Sequence, residues 1–366
     1  MTLLISADSH VVEPIDLWER HLGRRFGERV PRKVVGRVNG EDGVFFVTGS
    51  SALSESVRRD PTKTDEENRD MNLAGADPRQ RVKCMDTDGV AAEVLHTTRG
   101  LYFFRCLEDR DLLRACCQVY NDWLADYCSH DPRRLIGVGM IPLDDVGWAV
   151  GELERISRKG LRGVMINTAP PGRPPLRDAA YDPFWAVCEE RAIPITLHVG
   201  QGVKDDPFSY QGAKRRESPG ALLEVLWEGG LMLSNDFLFG GIFDRFPRLL
   251  VSLAEFECSW APSFIAVMNN VQDGMASVFR LPPIKQRTMD YFRQNILLTF
   301  LNDPYASITA RVIGAHRLAW ASDFPHVRNP YPRSHESFAK LLADSSLAER
   351  ELMAGQNVKK IYRIEL

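Results

Sequence analysis

Short apolar runs recur along the chain, bounded by turn residues and separated by stretches with helical spacing. Leu3 to Ala7, Val90 to Thr98, Leu135 to Leu143, Arg162 to Thr168, Pro194 to Gly200, Leu249 to Glu257, Ile296 to Asn302 and Arg317 to Pro325 each read as a buried strand. Between them, apolar positions three and four apart predict helices. The clearest runs from about Asp109 to His130, with Leu112, Leu113, Cys116, Val119, Tyr120, Trp123, Leu124 and Tyr127 at helical spacing. Others are expected over Arg79 to Asp86, Gly147 to Lys159, Pro183 to Arg191, Pro219 to Phe246, Trp260 to Asn270, Ala306 to Gly314 and Ser334 to Tyr362. Strands alternating with helices call for a parallel sheet, and eight such units close into a (β/α)8 TIM-type barrel.

One region breaks the pattern. Residues 25 to 78 follow the first strand and hold two β-like runs, KVVGRV and GVFFVTG, around Asn39-Gly40, a hairpin signal. A polar, charged stretch with little to bury follows, containing RRDPTKTDEENRD. This region is expected to be an insertion in a single barrel domain spanning residues 1 to 366: a small hairpin, then a loose segment that either serves as a lid or is simply solvated.

Composition narrows the chemistry. The chain has 366 residues, 44% hydrophobic and 26% charged, with net charge -3, and its basic residues are dispersed, so no nucleic-acid footprint is visible. No apolar run approaches a bilayer-spanning length and the N-terminus lacks the pattern of a secretory signal, so a cytoplasmic protein with a small-molecule partner and no membrane role is expected. The seven cysteines have no CxxC spacing, which argues for reduced, space-filling residues.

In a barrel of this type, function gathers at the C-terminal ends of the strands. Strand 1 runs into Asp8-Ser9-His10, where Asp8 and His10 share one face while Ser9 points away. The fifth strand ends in His198, the sixth in Glu255 and Glu257, and the eighth in Asp323. Imidazole and carboxylate suit zinc, manganese or ferrous iron, with zinc the first expectation. His10, His198 and Asp323, with Asp8 beside them, suffice for one ion. His326 and His96 are further candidates, as are Glu13, Trp260, Asn302 and Asp303 just past strand ends. Trp227, Phe237, Phe239, Phe243 and Phe300 either line an apolar pocket or fill the core.

SADSHVVEP, the RxxxMDxDGV run at Arg81 to Val90, ITLHVG, FDRFPRLLVSLAE, LLTF and WASDFPH together resemble the amidohydrolase-related family. This is the branch of the amidohydrolase superfamily that contains aminocarboxymuconate semialdehyde decarboxylase and the resorcylate-type decarboxylases. The resemblance implies that Asp8 and His10 are strand 1 ligands, His198 the strand 5 ligand and Asp323 the strand 8 ligand or base; a homodimer is also implied. Family decarboxylases place a His after strand 6, where this chain has Glu255.

That departure makes Glu255 a candidate ligand, a bridge to a second ion, a base or a hydrogen-bond partner of a ligand histidine. A carboxylate in place of a neutral or cationic donor favours two cations and water activation, with Asp323 as base. The expected activity is therefore metal-dependent hydrolysis of an ester, thioester or amide, using Asp323, His198, Glu255 and His326. The alternatives are a metal-dependent carboxy-lyase acting on an aromatic or unsaturated acid, and a barrel that binds a small molecule without turning it over.

Overall fold

The computed structural model describes residues 2–38, 41–49, 51–54, 59–167, 173–199, 227 and 229–366. In chain order the strands are β1 (Leu4–His10), β2 (Arg32–Val38), β3 (Glu41–Thr48), β4 (Ser51–Ser54), β5 (Val90–His96), β6 (Leu135–Ile141), β7 (Gly163–Ile166), β8 (Ile195–His198), β9 (Val251–Ala254), β10 (Ile296–Phe300) and β11 (Leu318–Trp320). Eight of them form one sheet in the order β1-β5-β6-β7-β8-β9-β10-β11, and every ladder in it is parallel. Helices connect the strands, as the hydrophobic spacing predicts. The sheet curls into a nearly closed TIM-type barrel, and the seam between β11 and β1 is joined by single bonds just past the last strand. Asp323 N–H donates to the Asp8 carbonyl at 2.9 Å, and His10 N–H donates to the Phe324 carbonyl at 2.7 Å.

The long helix Arg110–Cys128 shows how sequence positions an element. Asp109 caps its first turn, accepting from the N–H groups of Asp111 and Leu112, and its apolar stripe is buried. Asn121, within that stripe, bonds the Met140 N–H and carbonyl near the end of β6 at 2.7 and 3.0 Å, which sets helix height against the barrel. Phe237, Phe239, Phe243 and Phe300 are core residues, whereas Trp227 is exposed. All seven cysteines are free and buried.

Several strands are shorter than the apolar runs that predict them. Glu255, Glu257 and Asp323 have positive φ (68°, 56° and 53°) and so leave the extended conformation within a few residues of the ends of β9 and β11. Left-handed backbone at a non-glycine residue costs about 1–2 kcal/mol and persists where the surroundings enforce it. The helix expected over Pro219 to Phe246 lies partly outside the described residues; within them are a π-helical stretch, Leu233–Leu238, and a short helix, Ile242–Arg245.

Residues 25 to 78 differ from a hairpin followed by a loose segment. The antiparallel pair β2 and β3 is present, with its Asn39-Gly40 turn outside the described residues, and β4 adds a third strand. The charged stretch then forms a helix, Asp65–Ala74, opened by a capping box between Thr64 and Glu67. Its Met71 and Ala74 pack with Cys84, Phe324 and Tyr331. Lys63 Nζ lies 3.1 Å from Asp60 and donates to the Asn329 carbonyl at 2.9 Å, and all three residues are buried or nearly so. The segment thus braces the loop after β11 through polar bonds that no hydrophobic pattern announces.

The hydrogen bond from the Thr62 hydroxyl, with help from Lys63, holds the Asp60 carboxyl down to about 2. The folded value lies below the unfolded value of about 3.9, so this contribution is complete above about pH 4 and is lost as pH falls toward 2. Urea midpoints measured across that window should fall more steeply for the native chain than for Asp60→Asn; equal slopes would remove this brace from the account.

Candidate metal centre

The rim residues converge at the mouth of the barrel. The alternation of β1 turns Asp8 and His10 to one side, with Asp8 Oδ1 3.6 Å from His10 Nε2. Ser9 faces the other way and bonds Ser6 and Ser322 at 2.9 Å each. His198, the last residue of β8, brings its Nε2 to 3.2 Å from His10 Nε2 and 3.6 Å from Asp8 Oδ1. Asp323, turned inward by its left-handed backbone, places Oδ1 3.4 Å from His10 Nε2. His10, His198 and Asp8 are essentially inaccessible, and Asp323 is 6% exposed.

The tautomers follow from the partners. His10 Nδ1 lies 2.8 Å from the Thr97 carbonyl and His198 Nδ1 3.0 Å from the Val199 carbonyl. A carbonyl only accepts, so both Nδ1 atoms carry hydrogen and donate. When both rings are neutral, two Nε2 lone pairs therefore face each other at 3.2 Å beside the carboxylates. Asp8 Oδ1 and Asp323 Oδ1 are buried and make no well-aligned hydrogen bond among the described residues, although His96 Nδ1 lies 2.9 Å from the first and His326 Nδ1 2.6 Å from the second. Unpaired lone pairs and carboxylate oxygens in a dry site are costly, and a cation relieves them together.

The titration of these groups expresses the same demand. Burial pushes the Asp8 carboxyl up, but His198 and His96 outweigh it and hold Asp8 well below the usual carboxylate range. Burial and the neighbouring His326 hold His10 well below its ordinary value, which leaves it neutral. Burial lowers His198, yet Asp8 overrides it and lifts the ring to about 9. The residues fit a divalent metal: Asp8, His10 and His198 form one group of donor atoms within 4.8 Å of one another, and His10, Asp323 and His326 form a second.

His326 lies with Nδ1 2.6 Å from Asp323 Oδ1 and Nε2 3.1 Å from Thr98 Oγ1, its ring stacked on His10 at 4.0 Å. His96, which ends β5, proves closer to the centre than its sequence position suggests: its Nδ1 is 2.9 Å from Asp8 Oδ1. Glu255 lies outside both donor groups. Its carboxylate approaches the Nδ1 edge of His198 at 3.7 Å, the edge already used by Val199. Burial, then the Asp323 charge, raises its carboxyl to about 7.

Other rim candidates have structural work. Glu257 accepts from the N–H groups of Leu301 and Asn302, and Asp303 accepts from those of Cys258, Ser259 and Tyr305. Glu13 is buried and accepts from the Thr97 hydroxyl and the Arg99 N–H, beneath the carbonyl that orients His10. Trp260 Nε1 donates to the Glu257 carbonyl. Sequence reasoning passed over Glu93 and its buried partner Arg81. The signal was present, because a lone charge inside the apolar run of β5 requires a partner.

The amidohydrolase family model matches residues 57–364. The chain belongs to the amidohydrolase family. This amidohydrolase is 28% identical over 300 residues to gamma-resorcylate decarboxylase from Rhizobium sp. (strain MTP-10005), covering 78% of this chain and 86% of that protein. Its fold is similar to that of an amidohydrolase from Mycobacterium avium subsp. paratuberculosis K-10, with TM-score 0.78, 18% identity, and 100% and 99% of the two chains covered. It is also similar in fold to 5-carboxyvanillate decarboxylase from Novosphingobium aromaticivorans DSM 12444 in complex with manganese and 4-hydroxy-3-methoxy-5-nitrobenzoic acid (TM-score 0.71, 21% identity, 99% and 96% covered).

Hydrolysis as the expected activity is overturned by the relatives in sequence, which include gamma-resorcylate decarboxylases. The structure supplies a physical reason. The case for hydrolysis rests on a carboxylate in place of the strand 6 His, and that carboxylate, Glu255, lies at the Nδ1 edge of His198 and outside both donor groups.

Metal analysis after dialysis tests the donor set. The native chain should retain about one divalent ion and His10→Ala or His198→Ala less than about 0.2, while Glu255→Gln retains the native amount. Full retention in both histidine variants would contradict the assignment.

Proposed function

We propose that this amidohydrolase is a divalent-metal-dependent decarboxylase of an aromatic carboxylic acid, with manganese as the metal. The observation that carries the reading is a buried two-histidine, two-carboxylate cluster in a chain whose relatives include gamma-resorcylate decarboxylase. Manganese accords with the metal held by the carboxyvanillate enzyme of similar fold, and the oxygen-rich, thiolate-free donor set gives zinc no advantage.

Asp8, His10 and His198 would hold the ion, with Asp323 as a further donor from across the seam. When bound, the metal supplies a Lewis-acid site that fixes the substrate carboxylate and a neighbouring ring oxygen. The remaining task belongs to the protein. Decarboxylation replaces a C–C bond with a C–H bond: the ring carbon takes up one proton, the bond to the carboxylate breaks, and its electron pair returns to the ring as carbon dioxide leaves. Asp323 is the residue to deliver that proton. His326 Nδ1, 2.6 Å from Asp323 Oδ1, restores it, and the Thr98 hydroxyl at 3.1 Å steadies the far side of the imidazole.

Glu255, about one-third exposed in its side chain, would meet a ring hydroxyl of the substrate. Residues 25–78 are taken as an insertion within one barrel domain, acting as a brace for the Asp323 loop through Lys63 and Asn329. Among the described residues no helix is long and apolar enough to cross a membrane. The proposed partner is a small aromatic acid.

The test follows carbon dioxide and acid release side by side, with manganese-loaded protein, dihydroxybenzoates and carboxyvanillate, and acyl esters as the comparison. Carbon dioxide release is expected. Asp323→Asn should lower its rate by about 10²- to 10⁴-fold while leaving the metal on Asp8, His10 and His198. Ester cleavage without carbon dioxide, or an Asp323→Asn variant at the native rate, would refute the reading.

A further inference from the structure

Seven junctions of the barrel are parallel backbone ladders; among the described residues the eighth, between β11 and β1, is not. The metal centre straddles that junction, with Asp8 and His10 on one side and Asp323 on the other, 3.4 Å from His10. A slip of a few tenths of an ångström along the seam would change the distances among these donors directly. Something other than a ladder must hold the two edges in register.

The Arg81 guanidinium sits there, wholly buried. It is carried by the helix Pro78–Asp88, which Asp77 caps at its start and Gly89, with φ 72°, ends. All three guanidinium nitrogens are used. Nε donates to Glu93 on β5, one terminal nitrogen donates to the His10 carbonyl at 2.6 Å, and the other donates to the Phe324 carbonyl at 3.1 Å. The cation also lies over the Phe324 ring, 4.7 Å from its centre. The Phe324 carbonyl is the group that accepts the His10 N–H. One planar group therefore bonds both edges of the seam, at the residue after Asp323 and at His10 itself. Ser6, Ser9 and Ser322 continue the polar seam, linked at 2.9 to 3.1 Å, and Ser9 reaches Glu93 at 3.4 Å.

We infer that Arg81 is a positioning residue for the metal centre, holding His10 and Asp323 at ligand spacing by clamping the carbonyls of His10 and Phe324. A buried ion pair is weak evidence for stability in its own right, since apolar residues of similar volume often serve as well. What apolar residues, or lysine with its single nitrogen, cannot reproduce is a rigid fork that meets two carbonyls and a carboxylate together. The inference rests on the reading that Asp8, His10 and His198 bind a divalent ion.

The experiment measures the Mn²⁺ dissociation constant of the full chain, by the electron paramagnetic resonance signal of free Mn²⁺, alongside the thermal midpoint. Arg81→Lys keeps the charge beside Glu93, Arg81→Met/Glu93→Gln removes both charges, and Asn121→Ala is a destabilised control away from the seam. Mn²⁺ binding should weaken by at least about tenfold in each Arg81 variant that folds, and by less than about twofold in the control at a comparable midpoint. Native affinity in the folded Arg81 variants would overturn the inference while leaving the metal reading intact. Equal weakening in the control would reduce Arg81 to a stability residue, as would failure of both Arg81 variants to fold. A native chain that binds no Mn²⁺ would overturn the metal reading and the inference together.

Discussion

Two imidazole nitrogens held 3.2 Å apart, each ring anchored by its other nitrogen to a backbone carbonyl, impose the constraint around which this molecule is built. Neither ring can turn away without giving up the bond to its carbonyl, which for His10 is the buried one of Thr97. Asp8 Oδ1 and Asp323 Oδ1 beside them are buried against imidazole nitrogens, without a well-aligned hydrogen bond among the described residues. Positive charge in the centre satisfies all four groups at once. The barrel brings strand ends from opposite parts of the chain to one rim, and the left-handed turn at Asp323 aims its carboxylate inward.

The surrounding structure serves that spacing. Glu13 and Thr97 fix the carbonyl that orients His10, and the segment containing Lys63 supports the loop that follows Asp323. His326 stacks on His10 and lies against Asp323, so the group proposed to resupply a proton is also packed against a proposed ligand. On the proposed reading, binding, orientation and proton handling share side chains. This economy is consistent with decarboxylation, in which the protein has one proton to deliver.

Much of this was legible in the sequence. Eight apolar runs with helices between them announce the barrel, and the period of two along β1 places Asp8 and His10 together. The limits were physical. Glu255 follows a strand by one residue, and its φ of 68° cancels the alternation that would predict its direction, which leaves its carboxylate 3.7 Å from the Nδ1 edge of His198 and outside both donor groups. The helix at Asp65–Ala74 is anchored by Asn68, Lys63 and only a few apolar atoms, and hydrophobic patterning is blind to polar anchoring. Glu257 and Asp303 resemble site carboxylates in sequence, but their oxygens are used by backbone N–H groups that only the folded loops bring near. Glu93 was visible as a charge inside an apolar strand, whereas its bond to Arg81 depends on how a helix crosses that strand.

The paired approach of His10 and His198 can be observed directly. Pulsed electron paramagnetic resonance of the Mn²⁺-loaded chain, prepared with ¹⁵N-labelled histidine, reads the number of imidazole nitrogens bound to the ion. Two coupled histidine nitrogens, falling to one in either His10→Gln or His198→Gln, is the predicted result. An ion without histidine coupling, or one whose two couplings survive both substitutions, would contradict the account.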